Sequence, residues 1–424
     1  MTHKKFVLLK ASLPFVLLAA IVVGLYFWLF LPKDYADLVP AESRAVVALS
    51  PSALMADEVR LGNLLSEQLG FRPEGMDEAQ DVYLFITPNE YIAACAPLHD
   101  SRRLSEQIQR LSQHGQATLL PRSDQLSWAW VKKGWLVAWS SDAVLTIGPG
   151  VVQEQDVLRQ TASQIFRAGR NKSFRHSEHQ AQMDGIQGDV KVFSRLSALP
   201  SPFSLLFRLD IPAACNSSKV LLVAGAEVAA GGKPAGGLTL EGKLVSEDEE
   251  TQKLLEARAG KAAALAQPQR PYAPEGSVLY MAAHSQGDEL LTLLRSDQNV
   301  RTMLLSLDKG IDAEKLRQQG GGDFMLTLTE MPAKGEAQFR LCVQQGDSVS
   351  YDESTFPAPP QYAASPLTAQ AAGKRAFFSL DMKRLLRQPA LDKEVAATLK
   401  GIFGGTERIT YEAEEGQSFR LTIE

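Results

Sequence analysis

Cysteine is nearly absent: Cys95, Cys215 and Cys342 are the only three in 424 residues. They lie far apart, so at most one intramolecular disulfide can form and no pair has metal-site spacing. Buried thiols acting as small hydrophobes are the reading this pattern favours. Histidine is scarce too, with six in the chain, and there is no H-E-x-x-H pair to hold zinc. Nucleotide chemistry lacks its loops: there is no G-x-x-x-x-G-K-[ST] and no G-x-G-x-x-G, while Gly148-Pro-Gly150 and Gly320-Gly-Gly322 are turn signals. No G-x-S-x-G elbow marks an acyl-transfer nucleophile. Net charge is −5 and no basic stretch follows Lys10, which excludes nucleic acid as a partner. No cofactor and no catalytic or metal-binding residue is therefore assigned.

What the chain does have is a long apolar run. Residues 11–31 carry no charge and are preceded by Lys4, Lys5 and Lys10. At about 1.5 Å per residue such a helix spans roughly 30 Å, the thickness of bilayer hydrocarbon. A cleaved signal peptide is the competing reading, but its apolar core is shorter and ends at small residues. This run ends in Tyr26, Phe27, Trp28, Leu29, Phe30 and Leu31, and no cysteine follows it for lipidation. The expectation is an uncleaved, single-pass signal-anchor over 11–31 that contacts the lipid bilayer. The basic flank keeps residues 1–10 in the cytoplasm. The chain would then sit in the inner (cytoplasmic) membrane, its bulk periplasmic or extracellular.

The remaining residues have the composition of globular protein, 45% hydrophobic and 22% charged over the chain, which argues against disorder. Ser246-Glu247-Asp248-Glu249 reads as a capping box opening a helix through Leu254, Leu255 and Ala259. That helix stops before Pro268, Pro271 and Pro274, a linker signal. It divides the body into modules over 38–265 and 270–424.

Short strand-then-polar patterns recur. Ala45-Val-Val-Ala-Leu-Ser50, Val278-Leu-Tyr-Met-Ala-Ala283 and Ala376-Phe-Phe-Ser-Leu-Asp381 each lead towards leucine-bearing segments, with a fainter copy at Asp189-Val-Lys-Val-Phe-Ser194. Gly188-Asp189 and Gly322-Asp323 each open an alternating strand. The fold class expected is α+β: an N-terminal transmembrane helix, then two related modules of mostly antiparallel sheet with packed helices, the product of internal duplication. Further strands are expected near 82–87, 126–131, 135–140, 220–229, 238–244, 336–344, 408–412 and 418–423.

The opening Val39-Pro-Ala-Glu-Ser-Arg-Ala-Val-Val47, the mid-chain helix and the strand after Gly322-Asp323 resemble a Bacteroidetes family of large envelope proteins. Many of its members are lipoproteins, and it is known only as a domain of unknown function. The resemblance implies an envelope location and a non-enzymatic role, and it brings no catalytic residues.

Four of the five tryptophans crowd one segment: Trp128, Trp130, Trp135 and Trp139. A two-residue turn at Lys133-Gly134 would pair Trp130 with Val137 and Trp128 with Trp139, placing all four indoles on one face. One reading is a platform for a glycan, peptide or protein partner. The other is a central hairpin whose indoles are covered within the domain. His176-Ser-Glu178-His179 puts two imidazoles and a carboxylate within one turn, but a zinc site needs further ligands from another element. The functional expectation is a non-enzymatic binding or scaffolding module for an envelope protein or glycan. The alternative is an envelope hydrolase acting on a glycan or peptide through residues that no motif marks.

Overall fold

Alternating and β-branched segments decide most of the local structure, because a pleated strand places successive side chains on opposite faces. The computed structural model of the protein describes residues 34–55, 69–123, 125–199, 207, 211–212, 214–227, 238–261, 264–265, 276–286, 321–330, 338–345, 348–351, 366–389, 391, 396, 400, 406–414 and 416–424. They fall in two compact units: residues up to 46 with 68–181, and residues 47–67 with 182–424. Strand β1 (Ala45–Leu49) spans the division between them.

In the first unit the strands are β2 (Val82–Ile86), β3 (Ile92–Pro97), β4 (Ala117–Ser123), β5 (Leu126–Val131), β6 (Trp135–Trp139) and β7 (Ala143–Gly148). They pair antiparallel in the order β2-β3-β7-β6-β5-β4. Helix α1 (Ser101–Gln113) starts where the Asp100 carboxylate accepts from the backbone N–H groups of Arg102 and Arg103. It buries Leu104 and Ile108. Helix α2 (Gln155–Arg167) buries Leu158, Ala162 and Ile165 at helical spacing. The chain enters through a short 3-10 turn, Tyr35–Leu38, whose four residues are all buried. It is stitched to a later segment by Ala41 N–H to Lys172 O (2.8 Å) and Phe174 N–H to Val39 O (2.7 Å).

The second unit holds β8 (Val190–Arg195), β9 (Val220–Ala226), β10 (Leu238–Ser246), β11 (Leu279–Gln286), β12 (Gly321–Glu330), β13 (Gln338–Gln345), β14 (Ser348–Tyr351), β15 (Ala376–Asp381), β16 (Arg408–Ala413) and β17 (Ser418–Ile423). The ladder runs β8-β9-β10-β17-β16-β15-β11-β12-β13-β14, antiparallel at every step. One core joins Leu222, Leu244, Leu255, Met281, Tyr411 and Phe419. Phe207 meets Tyr411 and Phe419 edge-on, with ring centroids 5.1 Å from each. Leu255 reaches this core from helix α3 (Glu249–Lys261).

Two expectations need correction. Antiparallel sheet dominates the described residues and helices are few, in place of the expected α+β pair of related modules with packed helices. The repeated strands do exist as β1, β8, β11 and β15, but the helical segments after β1, β8 and β15 are short: Pro51–Met55, Leu196–Ala198 and Met382–Leu385. Strands this extensively paired cover one another's backbone groups and need little helix beside them. The second correction concerns the membrane and signal-anchor architecture. Among the described residues no helix is long and apolar enough to cross a membrane. Residues 11–31, which carried that expectation, lie outside the described set.

Candidate functional site

The tryptophan hairpin is present, with its register one residue away from expectation. Val131 pairs with Trp135, Ala129 with Val137 and Ser127 with Trp139. The connection is therefore the three residues Lys132, Lys133 and Gly134, with Gly134 at φ +84°. A glycine in the left-handed region closing a three-residue loop is a common hairpin geometry. Because paired residues share a face, the slip divides the indoles. Trp135 and Trp139 point to one side with Val131 and Val137; Trp128 and Trp130 point to the other with Leu136 and Ala138. The expected placement of all four indoles on one face is corrected accordingly.

All four indoles are buried. Trp139 Nε1 donates to Ser105 Oγ of α1 at 3.0 Å. On the opposite face the Arg159 guanidinium of α2 lies 5.3 Å from the Trp128 ring, a cation–π contact. Arg159 is held there by donating to Pro121 O (2.7 Å) and Ser123 Oγ (3.1 Å). Trp135 lies against Gly148, where a Cβ would come within 3.0 Å of the indole.

The turn supports the adjacent loop. Gly150 N–H donates to Gly134 O at 2.7 Å, and a Cβ on Gly134 would stand 2.3 Å from Gly150 O. Two glycines are needed for backbones to approach this closely. Beyond Gly150 come Val151 and Val152, which are 58% and 68% exposed. Val151 N–H donates to Glu154 Oε2 at 3.0 Å, and Glu154 N–H returns to Val151 O at 2.9 Å. Ile92, cross-strand partner of Gly148, is 47% exposed, and Val157 in the first turn of α2 is 48% exposed. Sequence reasoning missed these exposed residues. Their signal was Val151-Val152 directly after Gly148-Pro149-Gly150, a turn followed by apolar residues that begin no strand.

The histidine motif is used internally. His176 Nε2 lies 3.2 Å from Asp37 Oδ1, and Arg170 Nε lies 3.3 Å from Asp37 Oδ2; the Asp37 side chain is fully buried. Arg175 pairs with Asp34. His179 is buried near Phe174, ring centroids 6.0 Å apart. Among the described residues no three histidine, cysteine or acidic side chains gather as a metal set. Beneath this network Tyr35 and Tyr83 have ring centroids 6.1 Å apart. Burial pushes the Tyr83 phenol up to about 12 and raises the Tyr35 phenol further. Cys95 and Cys215 are free thiols, and burial raises both above the ordinary thiol value, which keeps the reactive thiolate scarce.

In the second unit His284 and Asp323 are cross-strand partners, with Nδ1 and Oδ1 2.7 Å apart. The carboxylate is buried and orients the imidazole. That is half of a general-base arrangement; acyl transfer also requires a nucleophile within hydrogen-bond reach of the ring.

Comparison with protein-family models and with curated proteins finds no match for the chain. Among solved structures, one titled "Structure of crystal form IV of TP0453" aligns with a TM-score of 0.29 at 10% identity, over 50% of this chain and 81% of that one. A likeness at that score carries no argument about fold or activity.

Proposed function

We propose that the chain is a non-enzymatic binding module whose first unit presents Ile92, Val151, Val152 and Val157 to a protein partner. The observation that carries this reading is the exposure of two adjacent valines on a loop pinned at both ends. A fixed apolar loop loses little conformational freedom on docking, so more of its buried area counts towards affinity. Adjoining exposed apolar residues, as Val151 and Val152 are, mark interaction sites more often than scattered ones do. A glycan is the weaker candidate, because sugars are recognised over open aromatic faces and the indoles here are covered. Edge-strand addition at β4 is disfavoured by Pro121 and by the register shift between Leu120 and Ser123.

A photo-crosslinking residue placed at position 152, with a control at exposed Gln113, tests the proposal in the native source. The expected result is a discrete adduct from position 152, absent from the control and lost in Val151→Asp. Equal labelling from both positions, or an adduct that survives in folded Val151→Asp, would overturn it.

A further inference from the structure

The second unit contains a cavity of about 490 Å³ where β15 gives way to the helical turn Met382–Leu385, against the start of β16 and the end of β17. Among the described residues every side chain in its wall is polar or charged. Its walls carry four cations (Lys383, Arg384, Arg387, Arg408) and three side-chain carboxylates (Asp381, Glu407, Glu424).

The pairing among these groups determines which charges remain for a ligand. Asp381 is occupied twice: Oδ1 accepts the Arg384 backbone N–H at 2.8 Å, and Oδ2 sits 3.2 Å from Arg384 Nε. Glu407 pairs with Lys383, a contact that holds its carboxyl below the usual carboxylate range. Arg387 and Arg408 have no carboxylate within ion-pair distance among the described residues, and the Glu424 side chain lines the same cavity.

The backbone around the cavity is fixed. Met382 N–H donates to Glu407 O at 2.9 Å, Glu424 N–H to Arg408 O at 2.9 Å, and Arg387 N–H to Arg384 O at 3.1 Å. The two guanidiniums therefore project from anchored segments.

We infer that this cavity is a binding site for a small, hydrophilic phosphate ester, its phosphate held by Arg387 and Arg408. A planar guanidinium offers paired donors that match the oxygens of a phosphate, and two of them match a dianion. The volume lies within the range of small-molecule sites and exceeds what a bare phosphate fills. The charged side chains of the wall provide hydrogen-bond partners for a hydroxylated body such as a sugar, beside the Gln388 amide, which donates to Arg384 O at 3.1 Å. This site lies in the second unit and does not depend on the apolar loop of the first.

Isothermal titration calorimetry on the full chain tests the site with glucose 6-phosphate, inorganic phosphate and glucose. The expected order of affinity is glucose 6-phosphate, then phosphate, with no binding of glucose. Arg387→Gln and Arg408→Gln should each weaken glucose 6-phosphate at least tenfold while circular dichroism remains unchanged. Glu424→Gln should tighten it a few-fold by removing the opposing carboxylate, and added salt should weaken it. The inference is overturned if glucose 6-phosphate does not bind, or if it binds both folded arginine variants as well as it binds the parent. It is also overturned if the protein ignores free phosphates but sediments with phosphatidic acid vesicles and not with phosphatidylcholine ones. That last result would assign the anion to a lipid headgroup.

Discussion

Trp128 and Trp139 differ in what their indole nitrogens meet. Trp139 Nε1 donates to Ser105, whereas the Nε1 groups of Trp128 and Trp135 are buried with no hydrogen-bond partner among the described residues. Burying an unmet donor costs about 1–3 kcal/mol, so a side chain lacking that donor recovers part of the loss from the smaller ring. Trp139→Phe is therefore expected to destabilise the first unit more than Trp128→Phe, by about 1 kcal/mol. Urea denaturation of the two variants measures the difference, and equal midpoints would refute it. The reverse order would mean that Arg159 above Trp128 stabilises more than the hydrogen bond at Trp139. Nothing in the sequence distinguishes these two tryptophans. Their roles are set by Ser105 and Arg159, dozens of residues away in the chain.

At the scale of elements, helix α3 illustrates both legibility and its limit. The sequence places a helix after Ser246, and one is there, but Asp248 is the residue that caps it. Its Oδ2 accepts Thr251 N–H at 3.0 Å and Thr251 Oγ1–H at 2.7 Å. Ser246 Oγ turns instead to Lys219 O at 2.8 Å and Asp248 N–H at 3.1 Å. The hydrogen bond from Lys219, then those from Thr251, hold the Asp248 carboxyl at about 2. A carboxyl depressed on folding stabilises above its unfolded value near 4, and that stability is lost as pH falls towards 2. The melting-temperature gap between parent and Asp248→Asn is expected to be full at pH 6 and to shrink between about pH 4 and 2. A gap unchanged at pH 2 would show that the charge is not what stabilises this cap.

Strands were the most readable elements. All eight of the further segments expected as strands contain strands, including Val82–Ile86, Val220–Ala226 and Ser418–Ile423. Period-2 patterning is local, so it survives in the sequence. The hairpin register did not, because a two-residue and a three-residue turn both accept glycine at Gly134. The choice between them involves Gly150, which no local pattern connects to the turn. The exposed valines were missed for the same reason: exposure is a property of packing, and composition does not carry it.

On the scale of the whole molecule, burial predicts a ranking of backbone protection. Strands β6, β7 and β9 are buried along their full length, while β4 is paired only through β5 among the described residues and is largely exposed. Opening free energy follows buried contacts and satisfied backbone bonds. Native-state hydrogen exchange is expected to be slowest in β6, β7 and β9, and to be orders of magnitude faster in β4. Exchange in β4 as slow as in β6 would point to a partner covering that edge. Long-range order of this kind was the least legible feature. The division of the chain into interleaved units depends on which strands meet, and pairings between strands a hundred or more residues apart leave little local trace.

That interleaving gives the protein a schedule. Residues 47–55 belong to the second unit, yet they precede 68–181, which belongs to the first. At roughly 5–20 residues per second, a ribosome takes roughly 6–23 s to cross that intervening stretch. The first unit is complete once that stretch has emerged, while Val47–Leu49 still await β8, the strand of their own unit with which β1 pairs. Slow codons or a stall within 68–181 would lengthen the interval before β8 is made for β1 to pair with, and a chaperone would have its work there.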